Sequence, residues 1–272
     1  MLGAIIGDIV GSRWEFNATN DYDFALFGDD CSFTDDSVCT IAVADAILRG
    51  TDYGASLHTW CRRYPSPMGG YGMRFKQWVE SDAPAPYDSF GNGSAMRVSA
   101  VGWAFPDRER VLAQAAASAA CSHNHPEGIK GAQTVALAIH LALRWREDSA
   151  ACAITPQTIR ERVLEPCAAF SGYDLDTCWD AVRNKFDESC QGTVPVALAI
   201  IGESHSFEDA VRRAVSLGAD ADTLGAITGS IAEALWPIPD KLQQRALTYL
   251  PEEMRSVVQA FRDHVRRDTS RE

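Results

Sequence analysis

The sequence predicts an all-α fold, and three observations carry that expectation. Segments with a clear hydrophobic period repeat at helical spacing, few alternate every second residue as half-buried strands do, and no linker or internal repeat divides the 272 residues. One domain over residues 1–272 is the expected organisation, ending in a polar tail from about Arg266 to Glu272.

Met1-Leu2-Gly3-Ala4-Ile5-Ile6-Gly7-Asp8 is apolar, lacks a basic n-region and is interrupted by Asp8, so it reads as neither signal peptide nor membrane span. From Asp35 to Arg49, Val38, Ile41, Ala42 and Leu48 fall near one face while Val43 and Ile47 cover another, which predicts a largely buried helix ended by Gly50. Tyr64 to Gly93 is rich in Pro, Gly and Ser without a sustained period and reads as functional loop. Asp107 then caps a helix through Val111, Leu112 and an alanine-rich stretch toward Cys121. Another begins near Pro126 and keeps Ile129, Ala132, Val135, Ala136, Ile139 and Leu143 in period until the charged run Arg144 to Asp148. Ser206 with Asp209 resembles a capping box ahead of Phe207, Ala210, Val211, Ala214 and Val215, with Gly218 as the stop. A helix from about Thr223 to Leu235 ends before Pro237 and Pro239. Its Gly225 and Gly229 share a face and cost helix stability, so they call for close approach of a backbone or a ligand.

Composition narrows the function classes. With 46% hydrophobic and 23% charged residues the chain is ordinary globular material. The 37 acidic against 25 basic residues, a formal charge of −12, disfavour a broad contact with a nucleic-acid backbone and suit cation binding. Eight cysteines without a CxxC pair or zinc-like spacing read as free thiols in a reducing, cytoplasmic setting.

Two clusters stand where helices begin: Phe33-Thr34-Asp35-Asp36-Ser37 and Gly218-Ala219-Asp220-Ala221-Asp222-Thr223-Leu224-Gly225. Thr and Asp are ordinary caps, and first-turn carboxylates are stabilised by the helix dipole, so capping explains part of each. It does not readily explain two clusters that each join carboxylates to a Thr hydroxyl. Hard oxygen ligands converging from two loops suit Mg²⁺ or Mn²⁺ better than Zn²⁺, and adjacent carboxylates in a cleft repel unless cations sit between them. Paired metals ~3.5 to 4 Å apart polarise substrate oxygens and supply a nucleophilic water. From spacing alone, hydrolysis of a phosphoester and of a glycosidic bond both remain open.

Three further stretches carry their own readings. In Gly91-Asn92-Gly93-Ser94-Ala95-Met96-Arg97 the glycines let backbone N–H groups approach a diphosphate or ribose, with a simple turn as the plain alternative. Arg97 reads equally well as a structural partner of a carboxylate. In Ser122-His123-Asn124-His125-Pro126 the histidines are as readily loop or core residues as functional ones. Tyr71, in Gly70-Tyr71-Gly72, reads as readily as a residue packed on the surface.

In this order, with Gly3-Ala4-Ile5-Ile6-Gly7-Asp8-Ile9-Val10-Gly11-Ser12 at the start and the Gly225/Gly229 helix at the end, these stretches resemble the ADP-ribosylglycohydrolase family from residue 3 to about 239. The resemblance implies a compact, single-domain orthogonal helical bundle with two Mg²⁺ or Mn²⁺ ions held by Thr34, Asp35, Asp36, Asp220, Asp222 and Thr223. It matches Glu15, in Arg13-Trp14-Glu15-Phe16, to a glutamate that reaches the metals or gates the cleft, and it places Gly72, Gly91, Asn92, Gly93, Ser94, Met96 and His123 at the substrate. The implied activity is hydrolysis of the bond between ADP-ribose and a modified target, arginine-linked before serine-linked, with Glu15, Asp35 and Asp36 as catalytic carboxylates. The partner is then an ADP-ribosylated protein or small-molecule conjugate, ADP-ribose is the product, nucleic acid enters only as a modified substrate, and no membrane is involved. The rival expectations are a hydrolase of another nucleotide sugar, a non-catalytic crystallin-like binding protein, and a partner that blocks a toxin's cleft. Ser37 stands where Thr is more usual, and the short chain implies trimmed loops around the cleft.

Overall fold

The computed structural model describes residues 1–148, 153–176 and 179–269. Its helices are α1 (Leu2–Gly11), α2 (Asp35–Arg49), α3 (Tyr53–Arg63), α4 (Met73–Glu80), α5 (Gly93–Met96), α6 (Ser99–Ala104), α7 (Arg108–Ala120), α8 (Pro126–Asp148), α9 (Pro156–Ile159), α10 (Glu165–Ser171), α11 (Cys190–Glu203), α12 (Phe207–Val215), α13 (Ala221–Leu235), α14 (Asp240–Leu247) and α15 (Glu252–Thr269). Among the described residues there is no β-strand; the fold is all-α, with two isolated bridges, Thr34 to Met68 and Gly91 to Ser189.

At the centre lie α1 and α13, buried along their whole length except for Glu233. Helices that bury every face must pack on all sides, and these two also meet backbone to backbone. A Cβ on Gly3 would stand 2.2 Å from the Gly229 carbonyl oxygen, one on Gly7 2.0 Å from that of Gly225, and one on Gly11 2.3 Å from that of Ala221. The paired glycines of α13 therefore answer to another backbone and not to a ligand.

Around this pair, α2 packs on α1, α3, α6 and α15. Thr34 caps α2 by accepting from the Asp36 N–H at 3.2 Å, and Gly50 closes it in the left-handed region at φ +63°. The cap of α7 is Asp107, accepting from Arg110 N–H at 2.8 Å, and the small residues Ala115 and Ala119 are buried as α7 lies along α8. No helix among the described residues is long and apolar enough to cross a membrane.

Four expectations change. The loop expected over Tyr64 to Gly93 contains α4, whose eight residues are too few to show a sustained period although Phe75, Trp78 and Val79 are buried at helical spacing. The Ser206 hydroxyl does accept from Asp209 N–H at 3.1 Å, but the Asp209 carboxylate returns to the His205 N–H at 2.9 Å, one residue short of a reciprocal box. The helix expected from Thr223 begins at Ala221. The polar tail expected from Arg266 is helical through Thr269, where α15 continues, and residues 270–272 lie outside the described residues.

Candidate active site

The zipper of α1 and α13 fixes where carboxylates can stand. Asp8 follows Gly7 on α1, Asp222 lies in the first turn of α13, and Asp36 lies in the first turn of α2. One oxygen from each of Asp8, Asp36 and Asp222 lies within 4.8 Å of the other two, in a cluster of buried residues.

Asp8 is fully buried, and its carboxylate is saturated. It accepts from the Thr34 N–H at 3.1 Å, the Thr34 hydroxyl at 2.7 Å, the Ser37 N–H at 3.0 Å and, at short range, the Ser37 hydroxyl. It thus holds the Thr34–Ser37 turn in place. Asp36 Oδ2 accepts from the Thr223 hydroxyl at 3.3 Å and lies 3.3 Å from the Thr34 oxygen, whose proton goes to Asp8, while Asp36 Oδ1 and Asp222 Oδ1 are buried with no hydrogen-bond partner. An anionic oxygen buried without a donor carries a heavy desolvation cost, which a proton shared with a neighbouring carboxyl or a bound divalent cation would remove. The donor set, all hard oxygens, fits Mg²⁺ or Mn²⁺.

The second cluster does not cap its helix. Asp220 makes no cap bond, and its Oδ2 instead accepts from Asn92 Nδ2 at 2.8 Å. Asn92 Nδ2 also reaches the Thr193 hydroxyl at 3.1 Å, and its backbone N–H donates to the Glu188 carbonyl at 2.6 Å, so the Gly91–Gly93 segment is tied to both α11 and the Asp220 turn.

Charge is under strain here. Burial, and then the neighbouring carboxylates, hold Asp36 and Asp222 well above the usual carboxylate range; burial likewise pushes Asp8 and Asp220 up to about 6. Glu15 is pushed up to about 8 by burial and by Asp222 and Asp8 beside it. Gly69, at φ +75°, makes room for Glu15: a Cβ there would lie 2.4 Å from Glu15 Oε2.

All of these carboxylates except Asp8 line a cleft of about 510 Å³. Its lining brings together Glu15, Asp35, Asp36, Asp220, Asp222, Thr223, Gly72, Gly91, Asn92, Gly93, Met96 and His123, with Tyr71, Phe75 and Tyr87 as an aromatic wall. Tyr71 donates its hydroxyl to the Tyr64 carbonyl at 2.7 Å. Two expected site residues are absent from the cleft lining. Thr34 is fully buried beneath it, within the carboxylate cluster, its hydroxyl directed to Asp8, and Ser94 is turned away from the cleft to donate to the Gly128 carbonyl at 2.7 Å. Arg97, expected as a possible partner of a carboxylate, pairs with none among the described residues and donates to the Ser118 carbonyl and the Ser122 hydroxyl. His125 lies outside the cleft lining and accepts the Glu127 N–H at 3.1 Å.

The residue that sequence reasoning passed over is Asp8. Its signal was present: a single carboxylate in an otherwise apolar, glycine-rich helix is expensive unless it has a task. The six described cysteines are free, with Cys39 and Cys61 in contact at 3.8 Å; Cys152 and Cys178 lie outside the described residues.

Comparison with known proteins agrees with this architecture. The chain is 26% identical over 320 residues to human ADP-ribosylhydrolase ARH3, covering 92% of this chain and 88% of that protein. It is 26% identical over 267 residues to ADP-ribosylarginine hydrolase Tri1 of Pseudomonas putida, covering 88% and 70%. Against ADP-ribosylhydrolase ARH3 of Xenopus tropicalis the match, 26% over 195 residues, spans 61% of this chain and about half, 53%, of the relative. A solved structure described as an ADP-ribosylglycohydrolase-related protein complex shares the fold with a TM-score of 0.68 at 22% identity, covering 97% of both chains. A family model described as ADP-ribosylglycohydrolase matches residues 1–270, and the chain belongs to that family.

Proposed function

We propose that this chain is a hydrolase, dependent on two Mg²⁺ or Mn²⁺ ions, that releases ADP-ribose from modified targets, arginine-linked ahead of serine-linked. The observation that carries the proposal is the pair of buried oxygens without a hydrogen-bond donor, Asp36 Oδ1 and Asp222 Oδ1, on residues that line a cleft large enough for a nucleotide-sized ligand. The relatives named above act on ADP-ribosyl groups, one of them on ADP-ribosylarginine, which supports the substrate class.

The ions would be held by Asp35, Asp36, Asp220, Asp222 and Thr223, with Thr34 and Asp8 at the base of the cluster. When bound, they supply Lewis-acid polarisation of ribose oxygens and a water made nucleophilic at neutral pH. The chain's own residues do the rest. Gly91 and Gly93 leave the backbone open to a diphosphate, Asn92 keeps that segment fixed to Asp220, and Tyr71, Phe75 and Tyr87 offer apolar faces to a base or ribose. Glu15, half-buried on the cleft lining beside Asp222, is placed to pass a proton to the leaving atom. Asp35 and Asp36 complete the catalytic carboxylates. Free thiols among the described residues support a reducing, cytoplasmic setting.

The test is a panel of arginine-linked and serine-linked ADP-ribosyl peptides and free nucleotide sugars, assayed for released ADP-ribose or sugar. Turnover of the peptides, arginine-linked fastest, is expected. Turnover of nucleotide sugars alone would move the substrate to a small molecule, and ADP-ribose binding without any turnover would make the cleft a binding module.

A further inference from the structure

Arg97 is a fully buried cation with no carboxylate partner among the described residues; it belongs to the cleft lining, with its Cζ 5.8 Å from the Phe75 ring. Its Nη2 donates to the Ser118 carbonyl at 2.8 Å and to Ser122 Oγ at 2.9 Å. A guanidinium has no acceptor, so Ser122 Oγ accepts from Arg97 and must place its own proton elsewhere. His123 Nδ1 lies 2.8 Å from that hydroxyl. The other atom near it, Cys121 Sγ, is 4.0 Å away and a weak acceptor. Ser122 therefore donates to Nδ1, and the ring's proton belongs on Nε2.

Nε2 faces the glycine segment: a Cβ on Gly93 would lie 3.0 Å from it and one on Gly91 3.6 Å. The ring is 4% exposed, lies 5.8 Å from Tyr87 and 6.2 Å from Phe75, and borders the cleft. Burial, Arg97 and Arg74 hold the imidazole well below its usual range, so it stays neutral. We propose that Arg97 and Ser122 are positioning residues that lock His123 as the Nε2–H tautomer, giving the cleft wall a neutral donor matched to an anionic oxygen, such as a diphosphate oxygen of the ligand. The identity of that ligand rests on the ADP-ribose reading above; the tautomer does not.

The experiment has two arms on the full chain. Long-range ¹H–¹⁵N correlation spectra of histidine-labelled protein without ligand should show His123 neutral and protonated on Nε2; an Nδ1–H tautomer or an imidazolium at neutral pH overturns the proposal. Calorimetry then compares ADP-ribose with adenosine, which lacks the phosphates, on wild type and Ser122→Ala. Loss of one hydrogen bond that orients a donor predicts about tenfold weaker ADP-ribose binding, unchanged adenosine binding, and a raised KM with kcat nearly unchanged. Equal ADP-ribose affinity in the variant overturns the relay. Should Ser122→Ala fail to fold, His123→Gln and His123→Leu replace it, Gln being expected to keep more affinity because its amide still donates, and equal losses overturning the donor role. If the wild type binds no ADP-ribose, the ligand reading fails while the spectra still decide the tautomer.

Discussion

Gly7 and Gly225 meet with no room between them: a Cβ on Gly7 would stand 2.0 Å from the Gly225 carbonyl oxygen. Asp8 is the next residue on α1, and Asp222 lies one turn earlier on α13, so the spacing of these two backbones sets the spacing of two carboxylates in the cluster.

Replacing Gly7 with Ala should therefore cost both stability and metal affinity. Overpacking of a tight core typically costs about 1–3 kcal/mol, and here a loss near the upper end is expected, or roughly 6–12 °C in Tm. Thermal unfolding with and without Mn²⁺ measures both effects. An Ala variant with wild-type Tm would mean that the helices separate at little cost and that the zipper does not set the site.

Asp36→Asn and Asp222→Asn should move stability and activity in opposite directions. Each removes a buried charge that faces other carboxylates, so the metal-free variant should unfold at a higher temperature than metal-free wild type. Each also removes an anionic ligand, so metal binding should weaken and turnover fall by about 100-fold or more. Calorimetric metal titration and kinetics check this; wild-type metal affinity in both variants would contradict the ligand assignment.

The pH dependence of the metal-free protein has a definite sign. Folding raises Asp8 and Asp220 to about 6 and Glu15 to about 8. Unfolded carboxylates titrate near 4, so over roughly pH 4 to 8 the folded state holds protons that the unfolded chain has released. The contribution of these groups is fully present below about pH 4 and is lost as pH rises through that window. Cations compete with those protons, so the rise in Tm from saturating Mg²⁺ or Mn²⁺ should be larger near pH 8 than near pH 5. Differential scanning calorimetry at the two pH values decides it, and an equal rise at both would count against a carboxylate site.

Ser94 and Gly72 separate packing from ligand contact. Ser94→Ala removes the hydroxyl's bond to the Gly128 carbonyl and should cost about 1 kcal/mol of stability while KM stays near wild type. Gly72→Ala meets nothing within 4 Å and has negative φ, so stability should hold or rise slightly, and any change should be in KM. A large KM change in Ser94→Ala with intact stability would return Ser94 to the substrate.

The sequence made the helical class, the capped starts at Thr34, Asp107 and Ser206, and both acidic clusters legible, because caps, periods and carboxylate pairs are local features. What it concealed depended on pairing between distant segments. Gly225 and Gly229 announced a close approach without naming α1 as the partner, and Asp8 looked like an interruption in an apolar run until Thr34 and Ser37 folded onto it. Ser94 shares its motif with cleft residues, yet it sits on the inner side of the short α5, where its hydroxyl meets α8. The helix α4 was hidden by its brevity and by the glycines and prolines around it.

The most direct measurement is release of free ADP-ribose from an arginine-linked ADP-ribosyl peptide by metal-stripped protein, before and after Mg²⁺ or Mn²⁺ is returned, in wild type and Asp222→Asn. Release that appears only with metal in the wild type and is nearly absent in the variant is the predicted result. Release undiminished by metal removal, or equal in the variant, would contradict a metal-dependent hydrolase built on this cluster.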